Sequence, residues 1–166
     1  MSTRTFFKAG AVALIGLGVA LSGNANASTA NMSVSATVVA TCSVSAGALA
    51  FGSYSGTAVT ASADLSVTCT NDAPYTIALG AGAGTDATTS ARLLTNASDS
   101  TSTLSYGLYQ DSSYATTWGN TTGTDTLADT GTGAAQTISV YGKIAADQLT
   151  ASTGSYADTV VVTVNY

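Results

Sequence analysis

The sequence lacks histidine and glutamate, and only one of its 166 residues is proline. Without histidine there is no imidazole base, which excludes Ser-His-Asp and Cys-His catalysis as well as His-ligated metal sites. The four lysine and arginine residues are too few to line a groove that follows a phosphate backbone, so nucleic acid is excluded as a partner. This residue inventory predicts a protein that is not an enzyme and that binds no cofactor or metal ion.

The abundant residues favour strands. Alanine, threonine, serine and glycine supply 30, 29, 21 and 17 residues, whereas glutamine and lysine are scarce. Threonine, valine and tyrosine suit the pleated surface of a sheet, and strong helix formers other than alanine and leucine are few. The composition therefore predicts an all-β protein.

The N-terminal segment has the pattern of a secretory signal peptide. Arg4 and Lys8 give a positively charged start, residues 9–21 are apolar, and Ala25-Asn26-Ala27 is a small-residue cleavage site. The apolar stretch is shorter than the ~20 residues that a helix needs to span a bilayer. We therefore predict a signal peptide over residues 1–27.

Cleavage between Ala27 and Ser28 would leave an exported mature chain, 28–166, with no membrane span. This chain carries nine aspartates against two basic residues. Its two cysteines allow a single intramolecular pairing, Cys42 with Cys69. An even number of cysteines in an exported protein predicts a disulfide, here between two strands.

Alternation of apolar and polar residues with a period of two predicts the strands. The pattern is clearest over two runs, 32–44 and 59–69. Shorter strands are predicted at 49–54, 75–79, 91–95, 104–109, 136–144 and 156–166. Clusters of Gly, Asn, Asp, Ser and Thr separate them, with a long loop at 119–133. About eight short strands in one domain predict an antiparallel β-sandwich.

The run 32–44 is longer than one strand of a small sandwich needs. We expect only the part near Cys42 to belong to the sandwich, and residues 29–38 to extend beyond it. A strand of this kind has an apolar face that its own domain cannot cover. The length of the run therefore predicts a partner for this segment.

Five further motifs carry a family resemblance, together with the alternating segment that leads to Cys42. They are LAFGSY at 49–54, LSVTC at 65–69, LSYGLY at 104–109, VYGKI at 140–144 and GSYADTVVVTVNY at 154–166. With these motifs the chain resembles the spore coat protein U domain family, which includes the major subunits of Csu-type archaic chaperone–usher pili. The C-terminal motif with its aromatic last residue is the most specific part of the resemblance.

The resemblance implies an incomplete immunoglobulin-like β-sandwich that a donor strand completes. In such pilins a periplasmic chaperone first fills the gap, and an outer-membrane usher then replaces it with the N-terminal extension of the next identical subunit. For this chain the resemblance implies a donor extension at 28–39 and a sandwich domain at 40–166. The residues that fill the groove would be Met32, Val34, Ala36 and Val38, and those at its edge would be Val160, Val162, Val164 and Tyr166.

The function implied by the resemblance is a structural subunit of an extracellular pilus, secreted through the periplasm and serving surface adhesion and biofilm formation. A secreted coat protein of a spore or cell surface is the alternative. A tip adhesin is a less favoured interpretation, because such adhesins usually carry an additional lectin domain and no donor strand.

Three local motifs suggest other chemistry. Asp129-Thr130-Gly131 matches the catalytic triplet of aspartic proteases, which need two apposed carboxylates. Residues 123–127 resemble one unit of a calcium-binding β-roll, but those units work in tandem arrays. Trp118 and the tyrosines could line a sugar site. We interpret the first two as chance matches in a chain rich in Asp, Thr and Gly, and the aromatic residues as packing.

Overall fold

The computed structural model describes residues 26–166, so the predicted signal peptide lies outside the described residues except for its last two positions. Residues 37–166 form one compact unit. The described part of the other unit, 26–36, contains no regular secondary structure. Within residues 26–166, no helix is long and apolar enough to cross a membrane.

Nine strands build the described chain, and every pair of neighbours is antiparallel. They are β1 (Cys42–Ala46), β2 (Val59–Cys69), β3 (Pro74–Leu79), β4 (Arg92–Asn96), β5 (Thr103–Tyr109), β6 (Leu127–Thr130), β7 (Ala135–Ile144), β8 (Tyr156–Ala157) and β9 (Val162–Asn165). One sheet has six strands in the order β1-β2-β7-β5-β4-β8, and the other has three in the order β6-β3-β9. The all-β antiparallel sandwich predicted from the sequence is confirmed.

The core lies between the inner faces of the two sheets. In β2 every second residue points inward, and Leu65 and Val67 are buried while their neighbours are exposed. Trp118 is fully buried, and its indole Nε1–H donates a hydrogen bond to the carbonyl of Ile77 at 2.9 Å. A buried tryptophan with a bonded N–H is a packing residue. The interpretation of Trp118 as core is therefore confirmed.

Residues 49–54 do not form the predicted strand. Gly52 has a φ of +75°, which is incompatible with an extended strand. Leu49 and Phe51 instead pack as half-buried side chains against the core. Gly142 makes room for them, because a Cβ at this position would lie 2.8 Å from the Phe51 ring and 2.9 Å from Leu49. The prediction was wrong because apolar residues that cover a sheet face need not belong to a sheet.

The predicted strand 156–166 is interrupted, so that β8 belongs to the large sheet and β9 to the small one. The side chain of Asp158 holds the chain where it leaves one sheet for the other. Its carboxylate accepts hydrogen bonds from Ala83 N, Thr159 N and the Tyr106 hydroxyl, each at 2.7 Å. The prediction of a single long strand is therefore wrong, because the hydrogen bonds of the half-buried Asp158 side chain hold the backbone at the break.

Strand β6 lies inside the stretch 119–133 that we predict as a loop. Three of its four residues are exposed, so it shows no period-two pattern of burial. It forms because β3 offers its free edge, with Pro74 opposite Thr130 and Ile77 opposite Leu127. This strand depends on pairing with a neighbour and has no local sequence signal.

The predicted disulfide is present. Cys42 and Cys69 lie directly opposite each other in the β1–β2 pair, with an S–S distance of 2.00 Å and a Cα–Cα distance of 4.1 Å. The bond therefore fixes the start of β1 to the end of β2.

We expect the double replacement Cys42→Ser, Cys69→Ser to lower the free energy of unfolding by about 3–4 kcal/mol, the loss of loop-closure entropy for a closed loop of this length. The measurement is denaturant unfolding of the mature protein. The matched control replaces the next pair in register, Ser43→Ala with Thr68→Ala, and should change stability by less than about 1 kcal/mol. Equal stability of the two variants would show that the bond does not constrain the unfolded chain.

Candidate functional site

An apolar groove opens between the two sheets along one side of the sandwich. Its volume is about 340 Å³, and one wall is formed by residues 46–49, which begin at the last residue of β1. The opposite wall is formed by residues 158–160 and by Val162 of β9. The floor consists of core side chains of the large sheet, including Leu65, Leu108 and Val140. The opening therefore leads directly to side chains of the core.

β1 and β9, which reach the groove at Ala46 and Val162, each have an unpaired backbone edge. Among the described residues, β9 pairs with β3 alone and β1 pairs with β2 alone. The two strands also lie close to each other across the gap between the sheets. An unpaired edge presents backbone N–H and C=O groups that can bind another strand. The groove thus combines an apolar floor with hydrogen-bonding groups along its edges.

The four residues that we predict for the groove edge differ in their positions. Val160 and Val162 line the groove, and Val164 is half-buried against the core. Tyr166 is 63% exposed and lies beside Pro74 in a separate depression at the end of the small sheet. The structure therefore brings two of the predicted residues to the groove.

Polar side chains fix the rim of the groove at Asp158. Burial and the hydrogen bond to Asp158 raise the pKa of Tyr106 above its ordinary value, so the hydroxyl stays protonated and donates. Gly82 allows the Asp158 carboxylate to approach closely, because a Cβ at Gly82 would collide with it and the φ there is +93°. The rim is therefore a fully bonded polar network beside an apolar floor.

Arg92 is hydrogen-bonded to the backbone of Leu79, a residue that lines the groove, and was not predicted as a site residue. Its side chain is fully buried and donates to four backbone carbonyls, those of Leu79 (3.0 Å), Gly80 (2.8 Å), Thr89 (2.7 Å) and Trp118 (2.8 Å). Burial lowers the pKa of Arg92 from its ordinary value. Leu79 is the last residue of β3, and it pairs with Val162 of β9, which lines the groove. The guanidinium therefore fixes the end of β3 to which this wall of the groove is paired. The only sequence signal for a role of Arg92 was that basic residues are scarce, since the predicted mature chain contains two of them.

The residues that we predict to fill a groove are all exposed in the structure. Met32, Val34 and Val38 expose 84%, 82% and 83% of their surface, and Ala36 is also exposed. Residues 26–41 contain no hydrogen-bonded strand, so the first strand begins at Cys42 and not at 32. The alternating sequence of 32–41 forms no strand because a strand is stable only when a neighbouring strand pairs with it.

The protease-like triplet begins in β6 and continues into the loop that follows it. Asp129 is exposed, and its carboxylate accepts hydrogen bonds from the Tyr75 hydroxyl and the Gln136 side-chain amide, both at 3.3 Å. Burial, reinforced by Asp129, raises the pKa of Tyr75. Across residues 26–166, no three His, Cys, Asp or Glu side chains gather in a group that could hold a metal ion.

These features define an immunoglobulin-like antiparallel β-sandwich with an open groove along one side. The fold is similar to that of a chain in the crystal structure of the CsuC–CsuE chaperone–tip adhesion subunit pre-assembly complex, from the archaic chaperone–usher Csu pili of Acinetobacter baumannii. The TM-score is 0.59 at 20% sequence identity. The similarity covers 78% of this protein but 41% of that chain, less than half of its length.

The protein belongs to the Spore Coat Protein U domain family, which it matches over residues 28–163. It is also 38% identical to Protein U of Myxococcus xanthus over 132 residues, which cover 72% of each chain. The family predicted from the sequence motifs is confirmed.

Proposed function

We propose that this protein is a structural subunit of an extracellular pilus and that it assembles by donor-strand exchange through a chaperone–usher system. The observation that carries the proposal is the open groove between residues 46–49 and residues 158–162, together with an exposed alternating segment in the same chain. Membership of the Spore Coat Protein U domain family and the similarity of the fold to a chain of a Csu pilus complex support it.

The proposed donor is the segment 28–39 of a neighbouring subunit. Its even-numbered residues Met32, Val34, Ala36 and Val38 share one face of an extended strand, since side chains alternate with a period of two. In the groove they would cover core residues, while the donor backbone paired with the edge of β9. Burial of the four side chains would contribute about 5–8 kcal/mol before the cost of ordering the segment.

The proposed domain organisation and partners follow from this assignment. Residues 1–27 are removed between Ala27 and Ser28, residues 28–39 are the donor extension, and 40–166 form the sandwich. A periplasmic chaperone protects the groove before assembly, and an outer-membrane usher directs its replacement by an identical subunit. The pilus then projects from the cell surface and serves adhesion and biofilm formation.

Replacing Val34 by Asp is expected to abolish polymerisation while leaving the chaperone-bound subunit intact. A carboxylate that enters an apolar groove must lose its hydration, whereas the same group on an exposed segment stays hydrated. Electron microscopy of secreted protein, with chaperone co-purification, measures the two outcomes. Val38→Asp should behave in the same way.

Ser35→Asp is the matched control for Val34→Asp. It adds the same charge one residue further along the segment, on the opposite face of the donor strand. We expect normal fibres from this variant. Fibres from Val34→Asp, or loss of fibres from both variants, would contradict the assignment of the apolar face.

A secreted coat protein that assembles without long fibres is the second candidate function. It is favoured by the description of the family, the Spore Coat Protein U domain. Electron microscopy of the native assembly separates the two, because a coat would form layers or amorphous material where a pilus forms fibres. Glycan binding by the isolated subunit would instead support a tip adhesin.

A further inference from the structure

The outer face of the six-stranded sheet carries a cluster of aromatic residues around one lysine. The cluster consists of Tyr109, Tyr114, Tyr141 and Lys143, and we call it the tyrosine–lysine patch. Tyr109 of β5 lies directly opposite Tyr141 of β7, and Lys143 follows two residues later on the same face. The rings of Tyr109 and Tyr114 are 5.6 Å apart and nearly perpendicular, and Lys143 Nζ lies 5.4 Å from the centre of the Tyr114 ring.

The loop that carries Tyr114 is held in one conformation by hydrogen bonds. The carboxylate of Asp111 accepts from the backbone N–H groups of Ser113 (3.0 Å), Ala115 (3.2 Å) and Thr116 (2.8 Å), and from the Ser113 hydroxyl. Tyr114 itself has a φ of +59°, in the left-handed region that bulky residues rarely adopt. The loop thus places an aromatic ring beside Lys143 at the expense of backbone strain.

The charge distribution gives Lys143 a special position. Residues 26–166 contain nine aspartates and two basic residues, and one of these, Arg92, is buried on backbone carbonyls. Lys143 is therefore the one side-chain cation that this part of the chain presents on its surface. Exposed aspartates are numerous by comparison, among them Asp86 and Asp147 in turns or loops.

We propose that the tyrosine–lysine patch is an interface between copies of this protein, in which Lys143 of one copy meets an aspartate of another. Complementary charge favours a second copy as the occupant, because its surface offers many carboxylates to the single cation. The tyrosine rings supply rigid contact area, as aromatic residues do at protein interfaces. The charge pair fixes which surfaces meet. This contact does not involve the donor strand. The proposal rests on the proposed function, because the contact forms within the polymer that donor-strand exchange would build.

Zero-length carbodiimide cross-linking of the native polymer tests this contact. The reagent joins an amine to a carboxylate, and Lys143 is the single lysine of residues 28–166, so a cross-linked lysine identifies the patch. Polymer is grown from a mixture of unlabelled and ¹⁵N-labelled mature protein. Mass spectrometry should then show peptides that join Lys143 to an aspartate, with one partner labelled and the other not.

Substitutions within and outside the patch measure its contribution to association. Lys143→Gln and Tyr114→Ala should each weaken association between subunits or fibres by roughly three- to tenfold, the range for an exposed charge pair or aromatic contact. Ser66→Ala, exposed on the same face of β2 but six residues away from Thr60, the partner of Lys143, is the control and should leave association unchanged. Lys143→Asp should be rescued when the cross-linked aspartate is replaced by lysine.

The outcomes separate this proposal from the proposed function. Fibres whose Lys143 cross-links are never isotopically mixed would overturn the interface and leave donor-strand assembly intact. Mixed cross-links in protein that forms no fibres would support the interface and contradict the pilus. Oligosaccharide binding that Tyr114→Ala abolishes, without mixed cross-links, would assign the patch to a glycan and overturn the proposal.

Discussion

A chain in which residues 28–39 are moved behind Tyr166, through a short glycine-rich turn, is expected to be monomeric and far more stable than the unmodified mature protein. β9 ends at Asn165, so the moved segment can turn back antiparallel to the unpaired edge of β9 and enter the groove. Burial of its apolar face contributes about 5–8 kcal/mol before ordering costs. The covalent tether reduces those costs, because insertion becomes intramolecular.

Thermal unfolding and sizing chromatography compare the two proteins. A gain of about 5 kcal/mol corresponds to a rise in Tm of roughly 15 °C or more for a domain of this size. The control carries the same moved segment with its copies of Val34 and Val38 changed to Asp, which should remove the gain. Equal melting temperatures for the moved and unmodified chains would show that the fold is already complete and that the groove does not accept a strand.

Replacing Arg92 by Leu is expected to destabilise the sandwich by about 3 kcal/mol or more, since buried carbonyls that lose their donor cost about 1–3 kcal/mol each. Four carbonyls lose a donor in this variant. Removal of a buried charge recovers part of this loss, but leucine fills only part of the space and donates no hydrogen bond. The end of β3, and with it the β9 wall of the groove, should loosen.

Denaturant unfolding of the mature protein measures this effect. Lys143→Leu is the matched control, because it removes the other basic residue of the domain from a surface position and should change stability by no more than about 0.5 kcal/mol. Arg92→Lys keeps the charge but lacks the planar fork of donors, so it should recover less than half of the loss. Similar stability for the Arg92→Leu and Lys143→Leu variants would contradict the structural role of the guanidinium.

Several strands could be predicted closely because their own residues carry the signal. β2 matches the predicted run 59–69, and β3, β4, β5 and β7 each begin within one residue of the prediction. In β2, β3 and β5 every second residue is apolar and half-buried or buried, so local periodicity and tertiary burial agree. In β4 the buried ends are Arg92 and Asn96, so only the position of that strand was predicted. The pairing of Cys42 with Cys69 followed for a similar reason, since two cysteines leave no choice.

Other features depend on contacts between distant residues and have no local signal. Strand β6 pairs with β3 through residues separated by fifty or more positions in sequence. The break between β8 and β9 depends on Asp158 and its bond to Tyr106. Leu49 and Phe51 leave the sheet because Gly142, far along the chain, opens a space for them.

The sequence by itself determined that the described chain is an all-β domain with one disulfide, and its motifs identified the family. These properties follow from composition, from the period of two and from short motifs, all of which are local. The tertiary structure decided where the groove lies, that Val160 and Val162 line it while Tyr166 does not, and that Arg92 supports it. A groove is the space between two sheets, so its position depends on how distant segments pack.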